Sequence, residues 1–184
     1  MRIISGTHKG RRIVPDKSFK ARPTTDFAKE NLFNVLNNII YFEDLEVLDL
    51  FGGTGGISYE FASRGAKKVN CVELNFKHAS FIRKTAMELN FNQIEVIRGD
   101  IFKYLKSCKK KFDLIFADPP YDLPKIDEVP EAILSRDILK KDGLVIVEHS
   151  SHTDFSHNPY FFEKRTYGSV NFSFFKLRDT ETQD

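Results

Sequence analysis

Glu46-Val47-Leu48-Asp49-Leu50-Phe51-Gly52-Gly53-Thr54-Gly55-Gly56 holds a strand and the turn that ends it. Residues 47–51 form a short apolar run interrupted by one carboxylate, which suits a parallel strand buried on both faces. Glycine fills four of the next five positions. Without Cβ atoms the backbone can turn tightly there and a ligand can approach it closely. Residues 55–64 then predict a helix, stopped by Gly65.

The alternation continues toward the C-terminus. Strands are predicted over 68–74, 94–98, 112–117 and 144–148, with helices over 76–90, 101–105 and 129–140 between them. Gly143 lies just beyond the last helix. Segments 161–167 and 170–177 around Gly168 read as a closing hairpin. The expected fold is α/β: a mostly parallel, seven-stranded sheet with helices on both faces and a C-terminal antiparallel hairpin. Such sheets bind ligands beyond the C-terminal ends of their strands, where the strand order reverses.

Toward the N-terminus the pattern dissolves. Ile3-Ile4 and Ile13-Val14 flank Gly6 and Gly10, which suggests a short hairpin. A helix is expected from about residue 27, capped by Thr24, Thr25 or Asp26. Ala28, Leu32, Val35, Leu36 and Ile39 share its apolar face. Residues 1–30 carry eight Lys or Arg against three Asp or Glu, although the whole chain has a net charge of only +2. That concentration suits a phosphate backbone as well as a solvated surface. Residues 1–42 are therefore read as a basic arm, hairpin and helix, and 43–184 as the ligand-binding domain.

Bulk features narrow the class. The 184 residues are 41% hydrophobic and 29% charged, which suits one globular unit. Eighteen Phe and no Trp are unusual; Phe33, Phe51 and Phe116 lie in apolar runs and are expected in the core. Cys71 and Cys108 provide neither a disulfide framework nor a metal site, and the five His show no metal spacing. Neither a signal peptide nor a membrane span is evident. A cytoplasmic monomer without metal is expected.

Chemistry should cluster at the strand ends. Gly53-x-Gly55 begins a dinucleotide fingerprint, but its third glycine position is Ser58, so the fit is poor. Asp49 before a Phe-Gly-rich turn suits instead the ammonium of the methionine moiety of S-adenosylmethionine, with Gly52, Gly53 and Gly55 close to the ligand. Glu73, about 20 positions beyond, can accept from ribose hydroxyls, with Leu74 beside it. Asp100 can accept from the adenine amino group while Ile101 packs on the ring; Asp100 equally suits a helix cap. After the fourth strand stands Asp118-Pro119-Pro120-Tyr121. Two prolines direct the chain and remove donors. The Asp118 carboxylate and Pro119 carbonyl can both aim at one amino group, and Tyr121 offers a stacking face worth about 1–3 kcal/mol. An exocyclic amine is a weak nucleophile because its lone pair is delocalised into the ring. Two acceptors free that lone pair and stabilise the charge that develops.

These residues together resemble the RsmD family of bacterial 16S rRNA guanine-N2 methyltransferases. The resemblance runs along nearly the whole chain. Besides the strand-end motifs it includes Arg2-Ile3-Ile4-Ser5-Gly6, Gly10-Arg11-Arg12, Arg22-Pro23-Thr24-Thr25-Asp26, Glu30-Asn31-Leu32-Phe33-Asn34, Ser63-Arg64-Gly65-Ala66 and Tyr167-Gly168. It implies a Rossmann-like class I fold, S-adenosylmethionine as cofactor, and methylation of one guanine N2 in 16S rRNA of the small ribosomal subunit or its assembly intermediate. It also implies that Thr24 lies over the cofactor or beside the target strand, and that Arg11, Arg12, Arg22 and Lys29 serve the RNA. Three departures stand out. The family's Ala-Gly-Ser-Gly turn is Gly52-Gly53-Thr54-Gly55 here. The helix after the arm usually has an Arg at the position of Phe27 and at that of Lys29, and with a guanidinium at neither, Lys29 is left as a point charge. Other readings are an adenine-N6 methyltransferase, for which the chain has no added recognition segment; a protein glutamine methyltransferase, which usually has Asn at position 118; and an RNA-binding assembly factor, which would not need the Asp118 acceptors.

Overall fold

A computed structural model describes residues 1–15, 19 and 24–177. In chain order it contains α1 (Asp26–Leu36), β1 (Glu46–Leu50), α2 (Gly56–Ser63), β2 (Lys68–Glu73), α3 (Phe76–Glu88), β3 (Ile94–Arg98), α4 (Ile101–Ser107), β4 (Phe112–Ala117), α5 (Val129–Leu134), β5 (Leu139–His149), β6 (Phe161–Tyr167) and β7 (Val170–Phe175). The seven strands form one sheet in the order β3-β2-β1-β4-β5-β7-β6. The first five are parallel; β7 runs antiparallel to β5 and β6 antiparallel to β7.

Alternation along the strands divides the core. Val47, Val69, Phe116, Ile146, Phe172 and Phe174 face α1 and α2, where Phe33 and Phe61 pack edge-on at 4.8 Å. Leu48, Val72, Ile115, Val145 and Val147 face α4 and α5. A third cluster joins Ile3 and Ile13 of the N-terminal segment to Tyr59, Ile82 and Phe91. Cys71 is buried there, as its apolar run suggested.

The ends of the elements differ from expectation where tertiary pairing competes with local signals. Residues 129–140 were expected as one helix, yet α5 stops at Leu134 and residues from 139 onward belong to β5. Leu139 pairs with Phe112, and pairing resumes at Leu144 with Leu114. Asp142 between them adopts φ 62°, so the Asp-Gly pair makes a bulge within the strand rather than ending a helix. The N-terminal hairpin is present as expected but short, with Arg2 bridged to Arg12 and backbone bonds from Ile3 N–H to the Arg11 carbonyl and from Ile13 N–H to the Met1 carbonyl, both at 3.0 Å. Thr25 caps α1 by accepting from the Ala28 N–H at 3.1 Å, which leaves the Thr24 side chain for another partner. Ile39 lies past the end of α1 and is exposed.

Register aligns the strand ends. Leu50 lies beside Val72 and Ala117, and Ala117 beside Val147. Asp49, Glu73, Asp118 and Glu148 are thereby gathered along one edge of the sheet, around the point where β1 has β2 on one side and β4 on the other.

Candidate active site

The turn after β1 begins with strain. Phe51 has φ 64°, a left-handed conformation that a bulky side chain adopts at a cost. Its ring is half-buried, packed against the core as expected and also lining a cleft. Gly55 follows at φ 81°, where a Cβ would sit 2.6 Å from the buried Tyr59 ring. The turn therefore needs glycine at position 55 for both conformation and space. It leads into α2 with no side-chain cap, so the first N–H groups of that helix are left for other acceptors.

The cleft beyond this turn has a volume of about 920 Å³. That lies in the range of small-molecule sites. Asp49 stands at its base, almost fully buried. Ser58, the residue that breaks the dinucleotide fingerprint, donates its hydroxyl to the Asp49 carboxylate at 2.5 Å. Burial pushes the Asp49 pKa up to about 7, and the Ser58 hydrogen bond opposes that only partly.

Glu73 is anchored by backbone. Its Oε2 accepts from the Gly53 N–H and its Oε1 from the Asn75 N–H, both at 2.7 Å. The carboxylate so ties the glycine turn to the end of β2. His78 approaches the same Oε1 at 3.7 Å, and Phe19 stacks on the His78 ring at 4.6 Å. Leu74 is 64% exposed and Ile101 buried, and both line the cleft. Asp100 caps α4 by accepting from the Lys103 N–H through Oδ1, and its residue also lines the cleft.

Asp118, Pro119 and Tyr121 close the other end. The Asp118 N–H donates to the Leu50 carbonyl at 3.3 Å, which fixes the turn to β1. The Pro120 carbonyl accepts from the Leu123 N–H at 2.9 Å, folding the segment back on itself. Burial raises the Asp118 pKa well above the ordinary carboxylate range, and the charges of Glu148 and Asp49 add to that. Tyr121 is 51% exposed, and its hydroxyl donates to Glu148 Oε1 at 3.4 Å. Thr24 donates to Glu148 Oε2 at 2.8 Å. Thr24 thus lines the cleft at the Asp118 end.

The remaining expected residues differ in place, for Lys29 reaches the cleft lining and Arg11 and Arg12 do not. Lys29, expected at the RNA as a point charge, is buried: its ammonium lies 3.5 Å from the Glu60 carboxylate and donates to the Arg2 carbonyl. Packing of α1 against α2 turns it inward, so it is a tie between elements. Arg11 and Arg12 are exposed on the hairpin and do not line the cleft. Arg22 lies outside the described residues. Glu148, His78 and Phe51 line the cleft without having been expected there. Glu148 had a usable signal, since it lies one residue before the end of a strand parallel to β4, much as Glu73 ends β2.

Known proteins match along the same length. A family model described as conserved hypothetical protein 95 matches residues 1–176. Ribosomal RNA small subunit methyltransferase D of Haemophilus influenzae is 35% identical, over 80% of this chain and 78% of that protein. YlbH of Bacillus subtilis is 32% identical over 97% of this chain and all of its own length. Among solved structures, Haemophilus influenzae HI0767 is 29% identical and superimposes with a TM-score of 0.77, covering 96% of this chain and 98% of that one. A Thermus thermophilus hypothetical protein, 23% identical, shares the fold with a TM-score of 0.83, covering 96% and 99% of the two chains. Because these matches run through the N-terminal segment as well as the sheet, they place the chain as a whole: it belongs to the ribosomal RNA small subunit methyltransferase D family.

Proposed function

We propose that this S-adenosylmethionine-dependent rRNA methyltransferase acts on the exocyclic N2 of a guanine in 16S rRNA of the small ribosomal subunit. The observation that carries the chemistry is the half-buried Asp118 carboxylate, followed by Pro119 and the exposed Tyr121 face, at one end of the cleft. The guanine N2 position rests on the family membership and the basic N-terminal segment.

The cleft fits the cofactor by the order of its chemistry. Asp49 at the base suits an ammonium, Glu73 keeps lone pairs for ribose hydroxyls, and Leu74 and Ile101 offer apolar surface to a purine ring. Asp100 keeps one carboxylate oxygen for an amino group after capping α4 with the other. Gly53 keeps a side chain away from this path, while Gly52 and Gly55 let the turn sit tightly on Cys71 and Tyr59. When bound, S-adenosylmethionine supplies an electrophilic methyl group whose leaving group is a neutral thioether. Asp118 and the Pro119 carbonyl accept the two N–H bonds of the substrate amine, holding its lone pair clear of the ring. Tyr121 stacks on the base, which must leave its helix to reach so enclosed an acceptor. Arg11 and Arg12 neutralise phosphates along the strand.

The test is methyl transfer to small subunits purified from cells lacking their own enzyme, with mass spectrometry of the digested rRNA. N2-methylguanosine is expected. A product confined to adenine, or to protein, overturns the assignment. Asp118→Ala should bind cofactor within about threefold of wild type while turnover falls by roughly 10²–10³, as when one oxyanion-type stabiliser is removed. Neutralising Arg11 and Arg12 together should weaken RNA binding and reduce the slope of log K against log salt by up to about 2.

A further inference from the structure

Glu148 has no part in the amine-holding scheme above, yet it occupies the centre of that end of the cleft. It is 3% exposed and is the next-to-last residue of β5, one residue past the Ala117–Val147 pair that sets β4 beside β5. Its two oxygens are divided between two segments. Oε2 accepts from the Thr24 hydroxyl at 2.8 Å, where the N-terminal arm enters α1. Oε1 accepts from the Tyr121 hydroxyl at 3.4 Å, in the turn after β4. Among the described residues neither Glu148 nor Asp118 forms an ion pair. The groups facing Glu148 are Thr24 from the arm, Asp118 and Tyr121 from the β4 turn, and Phe172 opposite it on β7. Asp49 on β1 also acts on Asp118, and His149 bonds instead to Ser173 and Ser150.

We propose that Glu148 is a positioning residue of the methyl-transfer site, acting on Asp118 through its charge and on Tyr121 and Thr24 through its hydrogen bonds. This rests on reading the cleft as an amine-methylating site. Burial lifts Glu148 to a pKa of about 7, and its charge adds to the upward shift that burial imposes on Asp118. As the amine nitrogen bonds the methyl carbon and the donor's carbon–sulfur bond breaks, that nitrogen becomes cationic. It then releases one proton to the Asp118 carboxylate. A neighbouring negative charge makes Asp118 a stronger proton acceptor. The proton passes to water when the methylated base leaves. The two hydroxyl contacts meanwhile keep the Tyr121 ring and the start of α1 in place beside that acceptor.

Glu148→Gln removes the charge and keeps both hydrogen-bonding positions. The acid limb of the kcat–pH profile should move to lower pH by about one unit, because Asp118 then ionises without an opposing charge. Plateau kcat should fall several-fold, with KM for the small subunit within twofold of wild type. ¹³C NMR of the Asp118 carboxyl, assigned with Asp118→Asn, should show the same acid shift with no substrate present. Glu148→Ala, which also frees Tyr121 and Thr24, should raise KM as well. Superimposable titrations and profiles for wild type and Glu148→Gln overturn the proposal. The carboxyl titration requires no turnover, so it separates this outcome from an error in the substrate: a wild-type product other than N2-methylguanosine alters only the substrate assignment.

Discussion

At the scale of single residues, the site is a set of buried carboxylates whose protonation is set by their surroundings. Asp49 shows the consequence for the cofactor. Its folded-state pKa of about 7 lies well above the ordinary aspartate value, because burial disfavours the charge. Below pH 7 the free protein therefore holds a proton on Asp49, and an arriving ammonium must expel it. Cofactor affinity should fall as pH drops through this range, by up to about tenfold per unit. Calorimetry in two buffers of different ionisation enthalpy should record proton release near pH 6.5. Asp49→Asn should bind weakly and lose this slope; an unchanged slope in that variant would remove Asp49 from the ammonium site. The spacing of Asp49 from its glycines was legible in the chain. Its hydroxyl partner Ser58 was visible only as the residue that spoils a different motif, since nothing local says that position 58 turns back toward position 49.

At the scale of elements, the glycine turn and the caps follow local rules while the strand ends do not. Gly53 and Gly55 both have positive φ, but a Cβ on Gly53 meets nothing closer than the Phe51 carbonyl oxygen at 3.7 Å, whereas one on Gly55 strikes the Tyr59 ring. Alanine at either position costs about 1 kcal/mol or more for the left-handed conformation. Gly55→Ala should cost clearly more than Gly53→Ala, lowering Tm by an additional ~3 °C or more as the Tyr59 ring is displaced. Equal melting temperatures would mean that the turn relaxes away from Tyr59. That Thr24, Thr25 or Asp26 caps α1, and that the helix stops at Gly65, could be read from residue type, while the choice of Thr25 came from the structure. The short α5 and long β5 could not. Residues 139–143 carry lysines and an Asp-Gly pair that locally favour a helix end, and only the neighbouring edge of β4 makes them strand.

At the scale of the whole molecule, Glu60 of α2 ties the N-terminal segment to the sheet domain. Its buried carboxylate accepts from the Ile4 and Ser5 N–H groups at 2.8 and 3.0 Å and from Arg64 Nε at 2.9 Å, and it lies 3.5 Å from the Lys29 ammonium. Glu60→Ala would leave the buried Lys29 ammonium with the Arg2 carbonyl but without its countercharge, and would take the acceptor from the Ile4 and Ser5 N–H groups. Removing one partner of a buried pair costs about 3–5 kcal/mol. The urea midpoint should drop accordingly, and proteolysis should begin near residues 1–15 before the sheet is cut. A loss below about 1 kcal/mol would mean that water reaches the site and replaces the carboxylate. The alternation of strand and helix, the glycine turn and the Asp118-Pro119-Pro120-Tyr121 motif were set by the chain alone, because period, breakers and turn chemistry act over a few neighbours. Tertiary structure decided which charges meet: that Lys29 turns inward to Glu60, that Phe51 lines the cleft, and that Glu148 stands beside Asp118. Those outcomes depend on sheet order and helix packing, which bring together residues up to 124 positions apart. No local pattern encodes the dielectric or the neighbours that such a meeting creates.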